Sequence, residues 1–397
     1  MRFLFVLAFV LSALIGVSSA GVGNARLHSA AMSISSIATW TNVTRGVAPV
    51  PMAGAMMAYS PAHHRFVLFG GWDGVTGRNE TWVFDPLNLT WTELHPALLP
   101  ESRGDEMFVY DSDADLFILF GGWHEFPNGT YVRLDDTWTF SLTTRRWIQA
   151  HPSVSPSARS DAMVAYDAHE EAVLLFGGFD GSRYLGDLWS YMPMNNTWAR
   201  RSAAVLPSPR ADGRMVYVPG QDRFILFGGN DFTGPNLTFH HLADTWSYAW
   251  TRNVWTALTT TGAPSARDYP ILAEDPAANL LLLTSGYGDR VILNDLWTFN
   301  LTTNVWSNVT PPSSPPPRFA GTGDFAPDVG VLVIFSGAGD SGLLADTWTY
   351  QYGTTANSNT SMPVSILAAI GLGTAVLLVG VAVLIWRRNV LRRPPKT

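Results

Sequence analysis

One phrase recurs six times along this chain, incomplete only in its last copy. It is an apolar run ending in two small residues, then an acidic residue, any residue and Trp, then a second Trp nine residues on. The first copy reads Phe66-Val67-Leu68-Phe69-Gly70-Gly71, Glu80-Thr81-Trp82, Trp91; the second reads Phe117-Ile118-Leu119-Phe120-Gly121-Gly122, Asp136-Thr137-Trp138, Trp147. The first Trp of the phrase falls at Trp82, Trp138, Trp189, Trp246, Trp297 and Trp348, so the unit is 51 residues, enlarged in two copies. A period of this size selects stacked or radial architectures, because one unit cannot bury its own apolar surface. The second Trp falls at Trp91, Trp147, Trp198, Trp255 and Trp306, but only Asn357 stands nine residues after Trp348. Trp40, 51 residues before Trp91, supplies the missing piece from the front of the chain. The array is therefore expected to close on itself.

Each unit reads as four short strands. The first follows an Arg and runs to an aromatic residue, over 103–110, 159–166 and 210–217; the apolar run is the second, and the two Trp residues mark the third and fourth. Turn residues at such spacing fit a meandering antiparallel sheet. A sheet with a mostly apolar second strand needs cover on both faces, which radial packing of neighbouring sheets provides.

These residues resemble the kelch repeat, an apolar strand ending in Gly-Gly followed by spaced aromatics. The resemblance covers residues 40–352 and implies an all-β, six-bladed kelch-type β-propeller whose last blade is completed by the strand at Trp40. The pattern departs in three places: Thr284-Ser285-Gly286 and Phe335-Ser336-Gly337 replace Phe-Gly-Gly, and Met52 occupies the first Arg position. Independently of the family, a buried Trp removes about 150–250 Å² from water, worth roughly 4–6 kcal/mol before entropy is counted. The repeated Trp residues thus read as structural. The glycines read as places where a strand leaves the sheet, not as a nucleotide loop.

Outside the repeats, residues 1–20 read as a signal peptide: one Arg, an apolar stretch over 3–17, then Ser18-Ser19-Ala20. Residues 21–39 are a lead-in and 353–363 a polar juxtamembrane spacer. Residues 364–386 carry no charge and are long enough as a helix to cross a bilayer of about 30 Å. The tail, 387–397, holds Arg387, Arg388, Arg392, Arg393 and Lys396, which marks the cytoplasmic side. The expected protein is single-pass type I, with its propeller extracellular or lumenal. Setting aside Arg2 and the five tail cations leaves 19 basic residues against 32 acidic, a charge that argues against nucleic acid as a partner. With no Cys, no disulfide supports the fold. Nine Asn-x-Ser/Thr sequons occur. Asn79, Asn88, Asn128, Asn195, Asn236, Asn300 and Asn359 are N-glycosylation candidates, whereas Asn42 and Asn308 share a strand face with a blade Trp by alternation.

Candidate chemistry centres on one end of the propeller. Arg103, Arg159, Arg210, Arg267 and Arg318 stand at one register and would ring the mouth of the channel, as a site for anionic groups. The competing expectation pairs them with Asp105, Asp161 and Asp212, or with Asp73, Asp180, Asp231, Asp289 and Asp340. The two enlarged units carry their insertions, 123–134 and 230–242, between second and third strands, with Trp123, Phe126, Tyr131, Phe232 and Phe239 as candidate ligand-face aromatics. The pairs His63-His64 and His240-His241 are poor chelators, since neighbours on a strand point to opposite faces. No metal or cofactor is expected. Some kelch-type propellers are copper oxidases with a Cys-modified Tyr, chemistry that a chain without Cys lacks. Two functions remain: a cell-surface module binding a protein or glycan, and an ectoenzyme, a sugar isomerase or hydrolase, using the Arg ring and acidic loops. Blade regularity favours the first.

Overall fold

The computed structural model describes residues 38–233 and 238–351. They form six four-stranded antiparallel sheets, accompanied by small hairpins. Blade one consists of Ala53–Ser60, Arg65–Trp72, Thr81–Asp85 and Thr90–Leu94. The inner strands of the next five blades are Met107–Asp111, Met163–Asp167, Arg214–Val218, Ile271–Asp275 and Thr322–Ala326. Each inner strand touches those of the blades before and after, and Thr322–Ala326 returns to Ala53–Ser60. The expected radial closure is present.

Alternation along the second strand explains why that strand is apolar throughout. In blade one, Phe66 and Leu68 pack toward blade six, while Val67 and Phe69 pack toward blade two. Among the described residues the apolar core divides into six clusters, one at each interface between blades. No blade has a core of its own.

The last sheet is completed by the start of the chain. Thr39–Asn42 pairs antiparallel with Thr347–Gln351, Trp40 opposite Tyr350 and Asn42 opposite Trp348. Trp40 is buried against Tyr350, ring centroids 5.2 Å apart. The fourth strands bury little beyond their Trp, so Asn42 and Asn308 are exposed despite the shared strand. This corrects the expectation drawn from alternation.

The residue inside the acidic-x-Trp phrase decides how the next blade's Trp is held. Thr347, Thr81, Thr137 and Thr245 each accept a hydrogen bond from the indole of the following blade, Trp91, Trp147, Trp198 and Trp306, at 2.9–3.2 Å. Blades three and five carry Leu188 and Leu296 instead, and the indole nitrogens that follow them, of Trp255 and Trp40, have no partner among the described residues.

The second small residue after the apolar run is Gly in all six blades. Gly122, Gly178, Gly229, Gly286 and Gly337 have φ from 94° to 108° or 111°, and a Cβ on any of them would meet a backbone oxygen of the neighbouring connection at 2.4–2.9 Å. Ser285 and Ser336, at the first position, sit at φ 65° and 64°, a left-handed conformation open to an L-residue. The two departing blades change the glycine at this lower φ and keep the one at φ near 110°.

Among the described residues no helix is long and apolar enough to cross a membrane. The expected signal peptide, membrane helix and tail, and the sequons Asn236 and Asn359, lie outside the described residues.

Candidate functional site

The five repeated arginines do not face a ligand. Arg103, Arg159, Arg210, Arg267 and Arg318 are fully buried. Each forms a two-pronged ion pair with the acid of its own blade's acidic-x-Trp phrase: Asp136, Asp187, Asp244, Asp295 and Asp346, at 2.6–2.9 Å. The same guanidinium also donates to the carbonyl of the first small residue, as Arg159 does to Gly177 at 2.9 Å, and to the carbonyl two residues back, Ser157. The second carboxylate oxygen accepts the indole N–H of the phrase's Trp, Trp189 in that blade at 2.7 Å. Burial acts to raise these carboxyls, yet the arginine hydrogen bonds and charge outweigh it and hold all five below the usual carboxylate range. Structural pairing is thus the outcome, but with none of the partners proposed from spacing. Blade one, where Met52 replaces the Arg, pairs Glu80 with Arg78 instead.

Two residues beyond each arginine the chain reaches the propeller axis. Gly54, Asp105, Asp161, Asp212, Tyr269 and Ala320 occupy this register, all left-handed with φ between 49° and 67°. Their backbones link blade to blade: Asp105 N donates to Gly54 O, Asp161 N to Asp105 O, Asp212 N to Asp161 O and Tyr269 N to Asp212 O, at 2.8–3.0 Å. The turn tolerates Asp because a short polar side chain suits the left-handed region. One consequence is electrostatic. Three carboxyl groups from consecutive blades converge at the axis, and Asp268 stands close by.

Asp105, Asp161 and Asp212 line a recess of about 300 Å³, walled also by Trp123, Arg133, Phe179, Tyr184 and Tyr269. Trp123 Nε1 donates to Asp105 Oδ2 at 2.7 Å, and Asn230 Nδ2 bridges Asp212 Oδ2 and Asp268 Oδ2 at 2.6 and 3.0 Å. Burial, then the neighbouring Asp161, pushes Asp105 up to about 8. Asp161 is held well above the usual range by burial and by the neighbouring carboxyl of Asp212. Burial pushes Asp212 to about 7 and Asp268 to about 6. His241, 3.3 Å from Asp268, is lowered by burial. The site is an acidic recess whose carboxyls burial raises, not the basic ring expected.

Every connection between second and third strands is a hairpin or a bridged turn, and the insertions lengthen that common element. Trp123–Glu125 pairs with Tyr131–Arg133, and Asn230–Thr233 with Thr238–His241. Of the five candidate aromatics, Trp123 is half-buried on the recess wall. Phe126, Tyr131, Phe232 and Phe239 remain 41–54% exposed. They touch one another and their surroundings, Phe232 stacking on Tyr184 and Phe239 edge-on to His241. Asp73 and Asp180 cap the turns of their own loops through Thr76 N and Arg183 N. His240 and His241 turn to different partners, Asp231 and Asp268. Among the described residues no three His, Asp or Glu side chains are grouped to hold a metal ion.

A wider cavity, about 390 Å³, runs between the inner strands toward the other end, with Arg214, Glu274 and Asp324 on its wall. Burial raises Glu274 to about 7 and Asp324 to about 6. At that end Tyr110, Tyr166 and Tyr217 donate to Asp115, Asp113 and Asp222, so much of its polar surface is already engaged.

Of the recess residues, spacing had drawn attention to Asp105, Asp161 and Asp212 only as arginine partners. Arg133, Asn230, Tyr184, Tyr269 and Asp268 gave no such signal. One was present: Asp at the axial register in blades two to four and not in the other three breaks an otherwise regular repeat.

Comparison with known proteins agrees with the kelch-type repeat. The chain matches the family described as the KLHDC2/KLHL20/DRC7 Kelch-repeats domain over residues 26–229, 95–269 and 201–380. Curated relatives include Mei4-dependent protein 6 of Schizosaccharomyces pombe, 24% identical over 198 residues, which covers 45% of this chain and 28% of that protein. The leucine-zipper-like transcriptional regulator 1 homolog of Drosophila melanogaster is 27% identical over 227 residues, 55% of this chain and 22% of that protein. Kelch domain-containing protein 2 of Bos taurus is 24% identical over 313 residues, 77% of this chain and 66% of that protein. The chain spans less than a third of the length of the first two relatives. Its repeats, its six-bladed closure and the extent of these matches place the chain in the Kelch-repeats domain family.

Proposed function

We propose that the propeller is a protein-binding module, carried on a single-pass type I membrane anchor, that meets its partner with the loop-bearing end. The observation that carries this reading is the coincidence of the axial recess with both insertions on one end, with four insertion aromatics over 40% exposed around it. Aromatic residues beside a concave polar site are the usual anchors of an interface. Three sequon asparagines, Asn88, Asn195 and Asn300, fall at the turns between third and fourth strands, the opposite end. Glycans at those three would leave the loop-bearing end free, whereas glycans at Asn79 and Asn128 would stand on it and restrict the partner's approach.

A second reading, an ectoenzyme, is favoured by one specific observation: the recess carboxyls exceed the cations near them, and Asp105 with a value near 8 would be a proton donor at neutral pH. Binding is preferred because one oxygen of each recess carboxyl is already engaged, by Trp123, Ser160 and Asn230.

A photo-crosslinking side chain at Phe126 or Phe239, with controls at Leu87 and Met194, tests the binding reading on cells making the full chain. Partner adducts are expected from the first pair only. Adducts confined to the control pair would reverse the assignment, and turnover of aryl glycosides lost in Asp105→Asn would establish the second reading.

A further inference from the structure

We propose that the axial recess receives an organic cation, the guanidinium or ammonium group of a protein partner's side chain or N-terminus. This rests on the reading that the loop-bearing end binds protein, and names what the recess recognises.

The charges at this end are unequally served. The five buried arginines are saturated by their own aspartates, which leaves nothing of that set for the axis. Asp105, Asp161 and Asp212 meet in the recess with a single guanidinium, Arg133, on its wall. Among the described residues Arg133 forms no ion pair, and its Nε is buried without a partner.

A second observation points to a donor-bearing ligand. Asp212 lines the recess at 6% exposure, and no donor among the described residues reaches its Oδ1. Behind it, Asp268 Oδ1 and Asn230 Oδ1, on residues 4% and 2% exposed, are likewise without donors. These three orphans are acceptors, whereas the orphaned Nε of Arg133 on the facing wall is a donor. Such atoms are costly to bury unpaired, so the site favours a group rich in N–H.

The walls suit the same ligand. Trp123, Phe179, Tyr184 and Tyr269 present ring faces or edges to the recess. Arg133 already lies with its guanidinium carbon 5.3 Å from the Phe179 ring centre, which shows that this wall accepts a cation. A volume of about 300 Å³ is ample for one guanidinium or ammonium head with its stem.

Protons compete for the same carboxyls. The groups facing them are Asp268 and neutral His241 from one side, Tyr184 and Tyr269, both held neutral by burial, from another, and the cations Arg133 and Arg214. Entry of a cation therefore releases protons, and affinity should rise with pH.

Calorimetric titration of the purified full chain tests this with four probes: N-acetylarginine methylamide, N-acetyllysine methylamide, alaninamide for an N-terminal amine, and N-acetylnorleucine methylamide as the uncharged control. At least one cationic probe is expected to bind and the control not to bind, with affinity rising about tenfold between pH 6 and pH 8.5. Asp161→Asn and Asp212→Asn should weaken binding about tenfold or more, without loss of fold, because Asn suits the left-handed turn at least as well as Asp. Arg133→Gln should tighten it about threefold, by removing a competing cation. Two variants moving in opposite directions cannot both be explained by unfolding. Equal binding of the uncharged control, binding insensitive to both Asp variants, heat from calcium chloride alone, or no heat from any cation at pH 8.5 would each overturn the proposal. If the cations fail while crosslinks still form at Phe126, the cation inference alone is wrong. If the cations bind while crosslinks form only at Leu87, the docking face is wrong and the small-cation site stands.

Discussion

The buried arginine layer and the axial recess begin in the same tripeptide. In Arg159-Ser160-Asp161 the first residue turns into its blade and the third turns to the axis. The arginine meets an aspartate placed by its own sheet, so each of the five blades that carry it solves its charge locally and identically. The axial aspartate meets its counterparts from other blades, so its charge depends on what those blades carry at the same register. Repetition therefore neutralises the first site and accumulates charge in the second. The comparison teaches that in a radial fold a repeated residue near the rim is scaffold, while one near the axis acts collectively, and that departures from the repeat matter most there.

The largest expected effect comes from breaking the local pair. Arg159→Ala strands Asp187 in the interior and should cost about 3–5 kcal/mol of stability, read as a denaturant midpoint shift. Replacing both partners, Arg159→Met with Asp187→Leu, should recover most of the loss, as blade one manages with Met52. A double variant as unstable as the single one would show that the pair does more than fill its site.

At the axis the sign is reversed. Asp212 and Asp105 have folded values raised from 3.8 to about 7 and about 8, so their contribution to stability is fully present below about pH 4 and lost as pH rises through those values. The melting temperature of the protein should fall between pH 5 and pH 8.5, and Asp212→Asn should flatten that fall by several degrees at the alkaline end. The arginine-bound aspartates titrate low and act in the opposite window: their contribution is present above pH 4 and lost in acid. An Asp212→Asn variant with the same alkaline slope as the parent would remove the distinction between the two sites.

The smallest effect tests whether scaffold and site are separable. Thr137→Val keeps the shape but takes the partner from the Trp198 indole, as Leu188 already does for Trp255, and should cost about 1 kcal/mol. The cation titration should be unchanged. A shifted titration would mean that strain at one blade interface reaches the axis.

The residues make the difference between what was and was not legible clear. The 51-residue spacing of the Trp residues gave the blade count, and Trp40 gave the closing strand that pairs with Thr347–Gln351, because periodicity and strand pairing are properties of order along the chain. The same spacing located both insertions on one end, since strands alternate direction. The partner of Arg103 was not legible: Asp105 is two residues away and Asp136 is thirty-three, and only the hairpin that brings the third strand beside the second chooses between them. Nor was the recess, which is assembled from Asp105, Asp161, Asp212 and Tyr269 on four blades, with Arg133 and Trp123 reaching in from an insertion. Sequence alone determined the repeat, its number, its closure and which loops are long, because each depends on local pattern. Tertiary structure decided which charges are satisfied and which remain together at the axis, because left-handed turns aim those side chains at residues that spacing never makes neighbours.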